Sequence, residues 1–362
     1  MKAYIADTQA VRKNIRIIKN RAGESRVWAV LKGNGYGLGL IKMAEICAQE
    51  GINSFAVTEP DDVRSLREAG FKDSDILMLR ATSEEGEIEE LAAYGAVCTA
   101  GSAEDARALD ALAQARGIKI KTHIKIDTGM GRYGFRPDEL SDILSVYTLP
   151  GLDVCGIFTH FHSAFSDEAA TRRQFNLFTD TIGKIEAAGY DAGERHCANS
   201  SALFKYADMR LDGVRTGSAL LGRLAFKNSE GLERVGFCEA SIEEIKELRP
   251  GESTGYSAAF TAKSPVRAAI VSVGYYHGFG VVRDNGNFSF KTGLRAVFSR
   301  LRELFKGKNI YVLVNGKRCR VIGRIGMLHT AVDVTDAECR PGDPVILDIN
   351  PLMVKGLKIE FR

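Results

Sequence analysis

Val27-Trp28-Ala29-Val30-Leu31-Lys32, followed at once by Gly33-Asn34-Gly35-Tyr36-Gly37-Leu38-Gly39, sets the pattern of this chain. An apolar, β-branched run of this length, broken by glycines, reads as a buried strand that ends in a turn. Lys32 would be carried on the strand yet point out of its end, where a partly desolvated ammonium can give up its proton and the amine can form a Schiff base. A lone lysine beside a loop is more often a surface residue, so agreement with the rest of the chain has to decide. A dinucleotide fingerprint is excluded. It requires glycine at 33, 35 and 38, whereas the glycines here alternate through 33, 35, 37 and 39 and position 38 is Leu.

Outward from that strand, similar short β-type runs recur at Ser54 to Thr58, Asp75 to Arg80, Ala96 to Ala100, Thr122 to Asp127, Val154 to His160, Arg195 to Ala198 and Val214 to Leu221. Between them lie segments with helical spacing, among them Ile41-Ala44-Ile46-Cys47, Val63-Leu66-Ala69 and Phe175-Phe178-Ile182-Ile185. Eight such units over residues 8–235 predict an α/β fold, a (β/α)8 TIM barrel, with its chemistry at the C-terminal ends of the strands. The third and seventh runs carry the shortest apolar signal. Beyond residue 235 the runs Val266 to Val273, Ile310 to Val314, Arg320 to Ile325, Ala331 to Val334 and Pro344 to Leu347 are separated by turn signals such as Asn315-Gly316 and Pro341-Gly342. A mainly β second domain over 236–362, joined by residues 1–7, is expected. Residues 294–305 break that pattern with apolar residues at helical spacing, which predicts a short amphipathic helix.

The 362 residues are 45% hydrophobic, enough for two cores. With 49 basic against 46 acidic residues and no long basic run, a nucleic-acid partner is not expected, and a small molecule is. No apolar stretch approaches a membrane span, and the segment Met1 to Asp7 has no apolar core of a signal peptide, so no membrane association is expected. Seven scattered cysteines without a Cys-x-x-Cys pair read as reduced thiols, which points to the cytoplasm.

Six motifs then carry a specific resemblance. Val30-Leu31-Lys32-Gly33-Asn34-Gly35-Tyr36-Gly37 resembles the cofactor-lysine motif V-K-A-N-A-Y-G of the alanine racemase family, and Lys125-Ile126-Asp127-Thr128-Gly129-Met130-Gly131-Arg132-Tyr133-Gly134-Phe135 its K-x-D-T-G-M-x-R-x-G-F. Thr159-His160-Phe161 resembles T-H-F, His196-Cys197-Ala198-Asn199-Ser200 H-x-A-N-S, Val214-Arg215-Thr216-Gly217 V-R-P-G, and the segment from Gly255 to Ala262 the stretch with the catalytic tyrosine. They run in family order over nearly the whole chain.

The resemblance implies a pyridoxal 5'-phosphate enzyme that interconverts L- and D-alanine, built as a head-to-tail homodimer. Lys32 would hold the cofactor and act as one base, and Tyr256 of the other subunit would serve the opposite face of the substrate's α-carbon. Arg215 would face the pyridine nitrogen, oriented by His160. Tyr36, Ser200 and the backbone near Gly217 and Ser218 would hold the phosphate. Arg132, Met327 and Tyr275 would surround the amino-acid substrate, and Lys125 matches a lysine that is carbamylated in many members. The chain departs from the family where Leu328-His329 follows Met327, where His277 replaces an acid in Gly274-Tyr275-Tyr276-His277-Gly278, and where Val354 falls at the place of a phosphate-contacting tyrosine. Those changes suggest a roomier pocket and make serine, or a broader set of amino acids, the alternative substrate. Two further readings stay open: a pyridoxal-phosphate carrier without turnover, and a metal-dependent hydrolase using His160, His162, His196 and Lys125. No metal site is expected.

Overall fold

Trp28, Ala29 and Val30 are buried, as are all four residues of Ser54–Val57, because parallel strands covered by helices on one side and facing a barrel interior on the other meet no water. The computed structural model describes residues 2–227, 230–282 and 310–362, and it divides into two units, one of Thr8–Val235 and one of Met1–Asp7 with Gly236–Arg362. The helix expected at 294–305 lies outside the described residues.

In the first unit the strands Arg26–Val30, Ser54–Val57, Asp75–Met78, Cys98–Ala100, Ile120–Lys125, Leu152–Phe158, Glu194–Ala198 and Gly213–Thr216 form one eight-stranded parallel sheet. Its seam is closed between the third and fourth strands by a parallel bridge from Leu77 to Val97, with Met78 N–H donating to Val97 O (2.9 Å) and Val97 N–H to Ile76 O (2.8 Å). The (β/α)8 barrel is therefore present, including its third and seventh strands, shifted by a residue or two from their apolar runs. Trp28, His123 and His196 come from three different strands and touch ring to ring at 5.0–6.0 Å, so all three point inward. A side chain at Gly156 would place its Cβ 2.5 Å from the His123 ring, and glycine leaves that room.

The glycines after Lys32 do more than break a strand. Gly33, Asn34, Gly35 and Tyr36 all have φ between 55 and 62°, a left-handed turn that costs non-glycine residues steric energy. It is held by Gly35 N–H donating to Leu31 O (2.7 Å) and Gly37 N–H to Gly33 O (2.9 Å), while the Asn34 side chain accepts from Leu40 N–H (2.8 Å) at the start of the helix Leu40–Gln49.

The second unit is an antiparallel sheet in the order Val266–Val271, Thr330–Asp333, Lys317–Ile322, Tyr311–Val314, Pro344–Leu347, Phe237–Leu248, Lys2–Ala6 and Lys358–Phe361, of which only the last pair is parallel. Phe237–Leu248 also pairs with Val266–Val271, so six of these strands close on themselves, with Lys2–Ala6 and Lys358–Phe361 added outside. This strand was not among the expected runs. Its Ile242, Ile245 and Leu248 repeat at helical spacing among Glu and Lys, whereas in the fold Cys238, Ala240 and Ile242 alternate inward. The strand bends where its register shifts between Ile242 and Glu244.

Candidate active site

The C-terminal ends of the barrel strands enclose a cavity of about 460 Å³, within the size of small-molecule sites. Every barrel residue that the sequence singled out for the site lines it: Lys32, Tyr36, Lys125, Arg132, His160, Ser200, Arg215, Gly217 and Ser218. Each lies at or just past a strand end, where loops can differ without disturbing the barrel.

Lys32 is held below the usual lysine range by burial, and further by Arg132 and Arg215. Lys125 is buried more deeply, and burial together with Arg132 and Arg215 brings it down to about 7, against the opposing pull of Asp127. Its Nζ donates to Leu79 O (3.1 Å) and lies 5.2 Å from the rings of Tyr133 and Phe158. His160 is kept neutral by burial and by Arg215 and Lys32. Arg132 sits on a loop organised by Asp127, whose carboxylate accepts from the backbone N–H groups of Gly129 (2.9 Å), Met130 (2.7 Å), Gly131 (3.1 Å) and Arg132 (3.2 Å). Those four bonds hold the Asp127 carboxyl low.

Arg215 is buried, and its bonds among the described residues run to a ring nitrogen and to carbonyl oxygens rather than to a carboxylate. Its Nη1 donates to His196 Nδ1 (2.7 Å) and His196 O (2.8 Å), and its Nη2 to Thr159 O (2.5 Å) and Cys197 O (3.5 Å). Burial lowers it to about 10, so it remains a cation at neutral pH. His196, whose ring bonds Arg215, is an anchor that was not anticipated from sequence; His160 lines the same cavity as Arg215, whose charge is the strongest acting on its ring. Both ring nitrogens of His196 are engaged, Nδ1 by Arg215 and Nε2 by His123 (2.9 Å), which leaves neither for a metal, and His162 is exposed and bonded to Ser163. Among the described residues no three His, Cys, Asp or Glu side chains gather as metal ligands would.

Tyr36 lies directly on Gly217, where a Cβ would come 2.3 Å from the phenol oxygen. The Ser200 hydroxyl accepts from the N–H of Gly217 (3.1 Å) and Ala219 (3.3 Å). The Gly217 amide is engaged by Ser200, and Ser218 lines the cavity beside it together with Tyr36 and Ser200. Arg80 also lines the cavity and was not anticipated. It joins neighbouring strand ends, donating to Thr58 O (2.9 Å), Glu59 (3.5 Å) and, twice, Glu87 (2.7 and 2.5 Å). Its position at the end of the Asp75 to Arg80 run was the available signal.

In the second unit Tyr256 is 71% exposed, on a short turn between the strands Ser253–Thr254 and Phe260–Thr261. It lines a groove with Met327 and Leu328, and Tyr275 lies next to it through its N–H bond to Gly326 O (3.0 Å). His277 does not open that groove. It is 2% exposed, accepts from Gly274 N–H (3.1 Å) and lies 3.1 Å from Lys2 Nζ, and Val354 does not line the groove either. Of the departures, Leu328 and His329 line the groove with Tyr256, whereas His277 and Val354 do not.

Fold and site define an amine-based barrel enzyme with an appended β-domain. The family models of the alanine racemase N-terminal and C-terminal domains match residues 6–225 and 236–351. The chain is 34% identical over 348 residues to the alanine racemase of Desulforamulus reducens, covering 94% of this chain and 87% of that one. Its fold superposes on an alanine racemase of Clostridium difficile with a TM-score of 0.84 at 26% identity, covering 100% of this chain and 95% of the other. It also superposes on that of Bartonella henselae, with covalently bound pyridoxal phosphate, with a TM-score of 0.83 at 23% identity, covering 100% and 99%. The chain belongs to the alanine racemase family.

Proposed function

We propose that this protein is a pyridoxal-phosphate-dependent amino-acid racemase acting first on alanine, with Lys32 and Tyr256 as its two bases. The observation that carries the reading is Arg215. Four of its five N–H groups are taken up by protein acceptors, which leaves Nε–H, without a partner among the described residues, for a ring nitrogen that must stay unprotonated. The donor set fits the cofactor elsewhere too: Tyr36 seated on Gly217 and the Ser200 hydroxyl suit a phosphate, and Lys32 lines the same cavity with a weakened hold on its proton.

Bound there, pyridoxal phosphate supplies the electron sink that acidifies the α-C–H of an attached amino acid. The chain's own groups do the rest. Lys32 removes or returns the α-proton on one face, and Tyr256, brought from the second subunit of a head-to-tail homodimer, does so on the other. Arg132 pairs with the substrate carboxylate, Met327 and Tyr275 bound the substrate from the β-domain, and His160, kept neutral by burial and the nearby cations, lines the cavity without adding charge. Lys125, with a neutral fraction near pH 7, adds to carbon dioxide: an N–C bond forms, one proton leaves, and the resulting carbamate faces Arg132 as an anion. Serine is the second substrate, because apolar Leu328 beside Tyr256 offers nothing built to reject a hydroxyl, and such pockets discriminate by only about two orders of magnitude. The thiols, all free, suit the cytoplasm.

Circular dichroism of L-alanine and of L-serine incubated with the cofactor-loaded protein tests the reading. Loss of optical activity is expected for both, faster for alanine. Cofactor binding without any change over all common amino acids would leave only a carrier. Borohydride reduction and peptide mapping should label Lys32, and a label on another lysine would refute its assignment.

A further inference from the structure

His123 lies outside the cavity and has no part in the chemistry above, yet it is buried, and its Nδ1 is 2.9 Å from His196 Nε2. It sits two residues before Lys125 on the same face of the strand Ile120–Lys125. The proton positions in the chain Arg215, His196, His123 are forced. A guanidinium can only donate, so His196 Nδ1 must be a lone pair. A neutral imidazole carries one N–H, so that hydrogen is on His196 Nε2 and points at His123 Nδ1, which must accept it. Burial and neighbouring arginines keep both rings neutral, His123 down to about 3.

Packing already decides the plane of His196, which is stacked between Phe158 (5.0 Å, 14°) and Trp28 (6.0 Å, 20°). What packing cannot decide is which nitrogen holds the proton. We propose that His123 is a positioning residue of this enzyme: by accepting the Nε2 proton it locks His196 in the tautomer whose Nδ1 lone pair anchors Arg215. Without that acceptor the buried Nε2–H is unsatisfied, and the opposite tautomer would set an N–H against the guanidinium. Arg215 would then lose one of its four anchors and the aim of its remaining donor. The consequence for turnover rests on the reading of Arg215 given above; the tautomer does not.

The test uses the purified protein with ¹⁵N-labelled histidine rings, six in all, and steady-state racemisation. In the wild type, His196 should show a lone-pair shift at Nδ1 and an N–H shift at Nε2. His123→Leu leaves one tautomer with an unsatisfied buried Nε2–H and the other with an N–H against Arg215, so the two draw closer in energy. The single-tautomer pattern should become a mixture, and kcat should fall roughly ten- to a hundred-fold, as loss of an orienting partner does, with KM moving much less. His123→Asn, whose Oδ1 takes the place of Nδ1, should restore both. A wild-type His196 protonated at Nδ1 would overturn the proposal. So would a His123→Leu protein with wild-type shifts and kcat, or an Asn variant no better than Leu. If His123→Leu does not fold, the wild-type shifts and the Asn variant decide. A wild type that racemises nothing refutes the proposed reaction, while the shifts still decide the tautomer.

Discussion

At the scale of single residues the cavity is a collection of cations with few anions to balance them, and Lys125 responds most. A free lysine keeps its proton up to 10.5, and this one only up to about 7. Between those values the unfolded chain binds more protons, so the stability this group contributes rises with pH and is lowest at and below pH 7. Lys125→Met should therefore stabilise the protein at pH 7 in buffer free of carbon dioxide, by an amount on the order of 1–3 kcal/mol, and the gain should fade as the pH approaches 10.5. Urea midpoints at both ends of that range measure it. A pH-independent difference would mean that packing, not the charge, sets the effect. Added ¹³C-bicarbonate should give a carbamate signal in the wild type and none in the variant.

At the scale of elements, the strand-end loops place these charges, and two of them can be disturbed without touching a reacting group. Asp127 gathers four N–H groups of the loop that carries Arg132. In Asp127→Ala those groups turn to water and the loop loses its one shape. The KM for alanine should rise roughly ten-fold, with a smaller change in kcat, since the lost order concerns carboxylate binding. An unchanged KM would separate Arg132 from substrate binding. At the other loop, Gly217→Ala drives a Cβ to 2.3 Å from the Tyr36 oxygen. Tyr36 must move, and the affinity for pyridoxal phosphate, followed by absorbance titration, should fall at least about ten-fold; wild-type affinity would show that Tyr36 does not hold the phosphate.

For the whole molecule, the two proposed bases belong to different units, with Lys32 in the barrel and Tyr256 exposed on the β-domain. If each site takes its tyrosine from the second subunit, equal mixing of Lys32→Ala and Tyr256→Phe chains should recover about a quarter of wild-type activity, because half the dimers then hold one complete site. Mixed dimers that form and stay inert would refute sharing. The same separation of scales explains what could be read in advance. The barrel was legible because each strand is a short apolar run between helical segments, and burial on both faces demands that composition. Lys32, Lys125, Arg132, Ser200 and Arg215 were legible because strand ends meet in one cavity whatever the loops between them. The strand Phe237–Leu248 was not, since one composition serves a helix or an alternating strand and only its three partners choose. Nor were the bond from His196 to Arg215 and the support from His123 behind it. Side chains 19 and 73 residues apart along the chain become hydrogen-bonded neighbours only when the barrel closes, so local sequence determines which way a residue faces along its strand, and tertiary closure alone determines what it meets there.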